Sequence, residues 1–190
     1  MINGVIQNAE FHTLRFRESF NKFFWKPPNF DLFEAIKIPK EHQSGKVKLR
    51  ISFNETGTSY TLEAYETKVI ESLRLVHHNS IDYDLKFQDR SELEMLYSRK
   101  KECDDILIIR NGWVTDCSYA NIVFWDGSDW YTPATYLLNG TKRMNLLKHE
   151  AIKELSIGFE DLTTFKGFQL INAMLDFNPS KILPIHNIKS

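Results

Sequence analysis

Residues 111–133 read NGWVTDCSYANIVFWDGSDWYTP, and two short signals inside them decide what kind of fold the chain builds. Asn111-Gly112 follows the apolar run DILIIR (105–110), and Asp126-Gly127 separates NIVFW from SDWYTP. Both dipeptides accept the positive φ of a two-residue turn between runs rich in branched and aromatic side chains, so each predicts a hairpin. Two hairpins in succession predict a meandering sheet at the centre of residues 80–190.

The flanking sequence extends this pattern in both directions. Downstream, LLNGTKRMNLLKHEAIKEL (137–155) begins with turn chemistry and predicts a helix with Leu146, Leu147, Ala151 and Leu155 on one side, while FQLINAM (168–174) and KILPI (181–185) predict strands. Upstream, Ser91 and Glu94 fit a capping box for a helix with Leu93, Leu96 and Tyr97 on its apolar side, and SLRLVHHNSI (72–81) reads as a strand entering a polar crossover. Nearer the start, FHTLRFRESFNKFF (11–24) places Phe16, Phe20, Phe23 and Phe24 at helical spacing after an Asn3-Gly4 turn, and Pro27-Pro28 ends the run. FDLFEAIKI (30–38) predicts a second helix, and KVKLRISF and SYTLEAYE predict a hairpin around the turn NETG (54–57). The change of pattern places a lobe boundary near Asn79, between a small lobe over residues 1–79 and a larger one over 80–190.

Composition narrows the chemistry. Lysine plus arginine number 24 against 25 aspartates and glutamates, so no net field favours nucleic acid or an anionic membrane. Cys103 and Cys117 are too few for a disulfide framework and lack a paired zinc spacing, which suits a reducing compartment. No leader pattern opens the chain and no apolar run approaches the ~20 residues of a membrane span, so a cytoplasmic protein is expected. His77-His78 lack a third ligand at a telling spacing, and no metal site is expected. Cys117 reads as apolar filler and His12 as a packing residue.

One feature has a direct chemical use. In LLNGTKR the turn at Asn139-Gly140 feeds a helix, whose first N–H groups and positive dipole end form a seat for an anion such as phosphate, with Gly140 permitting close approach. Such a turn is also an ordinary way to start a helix, and its neighbours decide between the two readings.

The ordered series GWVTDCSYANIVFWDGSDWYTP, LLNGTKR and LINAM before ILPI resembles the class IV aminotransferases, and the likeness runs from about Asn3 to Ile188. That family contains branched-chain and D-amino-acid aminotransferases and 4-amino-4-deoxychorismate lyase. The resemblance implies a two-lobed α/β fold of type IV, here with a reduced N-terminal lobe, pyridoxal 5'-phosphate as cofactor, a small amino substrate and a homodimer. LKFQDR (85–90) is similar to the lyase version of the cofactor-lysine motif, with an arginine four positions after the lysine; Lys86 would then form the Schiff base and shuttle the α-proton. Asp116 matches the carboxylate that keeps the pyridine nitrogen protonated, although the usual residue is a glutamate. FHTLRF is similar to a His-x-x-Arg element whose arginine binds the phosphate, which assigns that task to Arg15. The backbone of Gly140, Thr141 and Lys142 would grip the phosphate from the opposite side, and Asn172 and Ala173 in LINAM match the strand end that closes over it.

The resemblance leaves three functions in play: lyase, transaminase, or a cofactor-binding protein without turnover. Ser91 stands where branched-chain aminotransferases carry a tyrosine five positions after the lysine, which argues against that specificity. Family members usually begin with a strand ahead of the Asn-Gly turn, whereas this sequence opens at the turn itself. Arg50 and Arg143 are candidates for holding a substrate carboxylate.

Overall fold

The computed structural model describes residues 1–190 and divides the chain into two units, Met1–Lys68 and Val69–Ser190. In the first unit Ile2 and Val5 exchange backbone hydrogen bonds of 3.0 Å across Asn3-Gly4, both at positive φ, as the sequence predicts. Helix α1 (Ala9–Phe24) buries Phe11, Phe16 and Phe20 and leaves Phe23 outside. Trp25 closes it in the left-handed region, its N–H bonded to Asn21 O, just before the two prolines. Strands β1 (Val47–Phe53) and β2 (Thr58–Ala64) pair antiparallel around the expected turn, where Asn54 Oδ1 accepts from the N–H groups of Thr56 and Gly57.

The expected second helix does not form. Asp31 Oδ1 captures the Phe33 N–H at 2.8 Å and Ile36 N–H bonds to Phe33 O, so residues 30–38 run as successive turns. Leu32 is buried all the same, against Phe16 and Phe20.

The second unit begins with β3 (Leu73–His77), which pairs in parallel with β4 (Asp105–Arg110). That pairing carries the strand into this unit, so the division falls earlier than the boundary expected near Asn79. Helix α2 (Ser91–Tyr97) crosses between them. It has no capping box: Arg90 is the cap position, and Asp89 Oδ1 takes the Ser91 N–H instead. Strand β5 (Trp113–Cys117) returns from β4 through Asn111-Gly112, at φ 53° and 81°.

Next come β6 (Asn121–Trp125), β7 (Trp130–Pro133), helix α3 (Thr141–Lys148), β8 (Lys153–Leu155), β9 (Gly167–Ile171), β10 (Leu183–Pro184) and β11 (Ile188–Lys189). They do not continue the first sheet. The order β11-β3-β4-β5 makes one sheet and β10-β9-β6-β7-β8 another, so the single meander expected from the two hairpins is replaced by two sheets. The chain leaves one for the other at residues 118–120, where Cys117 N–H bonds to Ala120 O at 2.9 Å.

Helix α3 is also shorter than expected. It stops at Lys148, Glu150 takes φ 54°, and residues 153–155 pair in parallel with β7. Leu146 and Leu147 still pack on Val123, Trp130, Ile152 and Ile171, so the apolar pattern was right in its first two turns only.

Strand β4 explains the layering. Leu107 and Ile109 join Val114, Ile122, Phe124 and Phe168 in the core between the sheets, whereas Ile106 and Ile108 meet Leu93 and Leu96 of α2 on the opposite face. A strand covered on both sides loses polar alternation, which is why DILIIR reads as a continuous apolar run. Burying one such side chain fully contributes about 1.5–3 kcal/mol. No helix is long and apolar enough to cross a membrane.

Candidate functional site

Four of the sequence-predicted segments lie in the second unit, and all four are tied directly to residues 118–121, the crossing turn and the first residue of β6. The first holds Lys86, which is exposed in the irregular stretch between β3 and α2. Phe87 N–H bonds to Leu85 O at 2.9 Å, so Lys86 sits at the centre of a three-residue γ-turn. The buried Tyr83 donates its hydroxyl to Phe87 O at 3.2 Å, and Arg110 Nη1 donates to Ile81 O at 3.2 Å. Arg90, four residues after the lysine, donates Nη2 to Ser118 O at 2.8 Å and so ties this stretch to the crossing turn.

Asp116 lies two residues before that carbonyl, on β5, and is 6% exposed. Its Oδ1 accepts from Asn121 Nδ2 at 2.8 Å, and its Oδ2 accepts from the N–H groups of Leu137 and Leu138 at 3.0 and 2.9 Å. Burial pushes the carboxyl up to about 6, against these donors and the more distant Arg143. A carboxylate has about four lone-pair positions, so three donors leave one for a further N–H. Beneath the turn, Asp105 is fully buried with Oδ2 lacking a hydrogen bond, and burial raises its carboxyl as well, opposed by Ser118 and Arg90. The Cys117 thiol is raised by burial and by both aspartates, so it stays protonated and inert.

The third segment leads into α3. Gly140 caps the helix without a side chain, leaving its first-turn N–H groups without a capping acceptor. A Cβ at this position would overlap Asn121 Oδ1, so the close approach that Gly140 permits is made by a protein side chain. Lys142 is half-buried and pairs through Nζ with Asp176 Oδ1 at 2.8 Å.

The fourth segment is the end of β9. Asn172 Oδ1 accepts from Met174 and Leu175 N–H at 2.7 and 2.9 Å, and Nδ2 donates to Tyr119 O at 3.2 Å. Its amide is thus committed to shaping the turn and tying it to residue 119, and Ala173 stands exposed at the tip.

The remaining candidates fall elsewhere. Arg15 is half-buried and His12 lies one turn away on α1, both in the first unit, and Arg50 is exposed on β1. Arg143 is 2% exposed, stacked 4.2 Å over the Tyr136 ring and bonded to Asn139, Pro133 O and Glu154. Buried, with Nη1 and Nη2 engaged and one guanidinium face on Tyr136, it is not placed to receive a substrate carboxylate, although Nε has no hydrogen-bond partner. His77 meets the Phe159 ring edge-on and His78 pairs with Glu92, and no three His, Cys, Asp or Glu side chains are grouped to hold a metal.

Sequence reasoning missed Arg90, Asn121 and Asp105. The spacing of Arg90 from Lys86 was visible, but nothing in one dimension gives Ser118 as its acceptor. Asn121 opens a strand in the sequence, which is a common place for an asparagine, and its side-chain engagement of both Asp116 and the approach to α3 exists only after folding.

The donor set suits pyridoxal phosphate: a presented primary amine, a buried acid with one acceptor position left, and an uncapped helix start behind a glycine. Comparison with known proteins points the same way. The profile of a family described as amino-transferase class IV matches residues 1–188. A Haemophilus influenzae protein of uncharacterised function is 38% identical over 174 residues, which is 90% of this chain and 93% of that one. A crystal structure of a candidate 4-amino-4-deoxychorismate lyase from Haemophilus somnus is also 38% identical, with TM-score 0.85, covering 91% of this chain and 92% of the other. The PLP-bound form of a hypothetical aminotransferase from Mycobacterium tuberculosis shares the fold at 14% identity, with TM-score 0.72 over 95% of this chain and 75% of its own.

Proposed function

The chain belongs to the class IV amino-transferase family of pyridoxal-phosphate-dependent enzymes, and from that premise we propose a lyase that releases pyruvate from 4-amino-4-deoxychorismate and leaves 4-aminobenzoate. The observation that carries the reading is the attachment of the Lys86 stretch, Asp116 and the approach to α3 to residues 118–121, the crossing turn and the first residue of β6. The 38% identity to the candidate lyase favours that substrate class, as does Ser91 in place of the branched-chain tyrosine.

The coenzyme supplies an electron-accepting ring that stabilises negative charge on the substrate carbon next to the amine. Lys86 is the residue that would hold the aldehyde through its Nζ, and the same amine would accept and return a proton as general base and acid. Asp116, raised only to about 6, is ionised at neutral pH and would keep the ring nitrogen protonated. The N–H groups of Thr141 and Lys142 would hold the phosphate with the helix dipole behind them, and Asn172 and Ala173 would add to its binding. Arg15 is assigned to the phosphate on its His-x-x-Arg spacing alone. The working form is a cytoplasmic homodimer, tested in solution by light scattering against the 22.3 kDa chain.

Purified protein mixed with pyridoxal phosphate is expected to develop a visible absorption band that Lys86→Ala abolishes. Aminodeoxychorismate should then yield pyruvate, read with lactate dehydrogenase. Conversion of the coenzyme to its pyridoxamine form by an amino acid, without pyruvate from aminodeoxychorismate, would make the chain a transaminase. A band indifferent to every substrate would leave a binding protein.

A further inference from the structure

We propose that Asn121 is a positioning residue that sets the Asp116 carboxylate and the start of α3 as one rigid piece, so that acid and phosphate seat keep a fixed separation. The inference rests on the coenzyme reading above. Asn121 uses every polar atom of its side chain between the two. One Nδ2 hydrogen goes to Asp116 Oδ1 at 2.8 Å, and the other to Leu138 O at 2.9 Å. Its Oδ1 lies against Gly140, where no Cβ has room. The second carboxylate oxygen is bonded to the N–H groups of Leu137 and Leu138, so the peptide before α3 is gripped from both sides.

Asparagine alone meets these demands at this place. Aspartate offers no hydrogens and would set a second negative charge beside Asp116. Glutamine reaches one methylene too far, and serine has a single hydrogen for two acceptors. Asn121 is 5% exposed at the first position of β6, whose backbone pairs with Ile171 of β9, so the strut is anchored in the sheet and does not move with the loop. Gly140, at φ −68°, has no conformational need to be glycine; Asn121 is the reason for it. The short aspartate at 116 fits the same scheme, because a carboxylate held from three sides cannot swing to find its partner.

The test is a double-substitution cycle on the full-length protein with three readouts: coenzyme affinity from the absorption band, the pH midpoint of that band, and the Asp116 titration in apo-protein by carboxyl carbon NMR. Asn121→Ala is expected to weaken coenzyme binding roughly tenfold or more and to move the band's midpoint, while the Lys86-dependent band itself persists. Gly140→Ala should do comparable damage alone, but much less in the Asn121→Ala background, where the obstructing oxygen is gone. In apo-protein, Asn121→Ala should shift the Asp116 midpoint upward, a change that loss of stability alone does not produce. If Asn121→Ala does not fold, Asn121→Ser, which keeps a donor, is read in its place.

Additive losses in the cycle, or an unmoved Asp116 midpoint with wild-type affinity, would overturn the proposal. Failure of the coenzyme reading looks different. A wild-type band that survives Lys86→Ala refutes that reading, yet the apo-protein titration and the coupling of 121 to 140 in thermal stability can still be measured.

Discussion

Asp116 combines two opposed influences, and their balance has a measurable sign. Burial favours its neutral form, three donors favour its ionised form, and the net is a carboxyl raised from 3.8 to about 6. An acid whose pKa rises on folding binds its proton more tightly in the native state, so its contribution to stability is complete below about pH 4 and is lost as pH rises through about 6. The loss amounts to roughly 3 kcal/mol, taking about two units at 1.4 kcal/mol each. Asp104 and Asp126 are held below the usual range by backbone N–H donors and act in the opposite direction, so total stability against pH does not isolate Asp116. The difference between wild type and Asp116→Asn does. Urea midpoints at pH 4.5 and 7 are expected to show wild type losing stability relative to the variant on going up, and parallel behaviour would mean the carboxyl is not raised.

At the scale of elements, the stretch from His78 to Arg90 shows how an irregular segment is given a fixed place without secondary structure. Ile81 and Tyr83 are buried, Arg110 holds one end, and Arg90 ties the other to Ser118 O. Replacing Arg90 by methionine keeps the apolar stem and removes the tether. Global stability should fall by about 1–3 kcal/mol, as for a hydrogen bond to a charged donor, whereas amide exchange at Phe87 should accelerate by more than this loss requires. Equal acceleration at Phe87 and at Leu107 in the core would show that Arg90 serves the whole fold and not the lysine turn. The sequence was most readable where local chemistry alone decides: the turns at Asn3-Gly4 and Asn111-Gly112, and the helix around Phe16 and Phe20, whereas the hairpin expected around Asp126-Gly127 forms with a four-residue loop, 126–129, in place of a two-residue turn. It misled where a side chain captured a backbone group, as Asp31 does in the unmade helix, or where a partner strand claimed residues, as β7 does at Lys153–Leu155. Of the candidate site the sequence supplied only a list of residues carried by resemblance. The bonds from Arg90, Asn121 and Asn172 that fix its parts join positions 28, 17 and 53 apart in the chain, and no local pattern encodes them.

At the scale of the whole molecule, the two units are unequal in what they can sustain alone. The second holds the core between its sheets, the α2 layer on β4 and the α3 layer on β6 and β9, with Lys86, Asp116 and Asn172 all attached to that framework. The first rests on one aromatic cluster around Phe16, Phe20 and Leu32 with a two-stranded hairpin, and domains this small bury too little of their surface to be firmly stable. Residues 69–190 expressed alone are therefore expected to melt cooperatively, and residues 1–68 alone to show no sharp transition by circular dichroism. Leu107→Ala in the longer fragment should lower its stability by about 2–5 kcal/mol, since the cavity would open at the centre of the core between the sheets. The fragment also separates two classes of site residue. If the γ-turn and the strut at Asn121 are properties of the second unit, Phe87 should exchange and Asp116 should titrate in residues 69–190 as they do in the full chain. Loss of either signature, with the cooperative melt retained, would mean that the first unit is needed to hold the lysine and the acid in place.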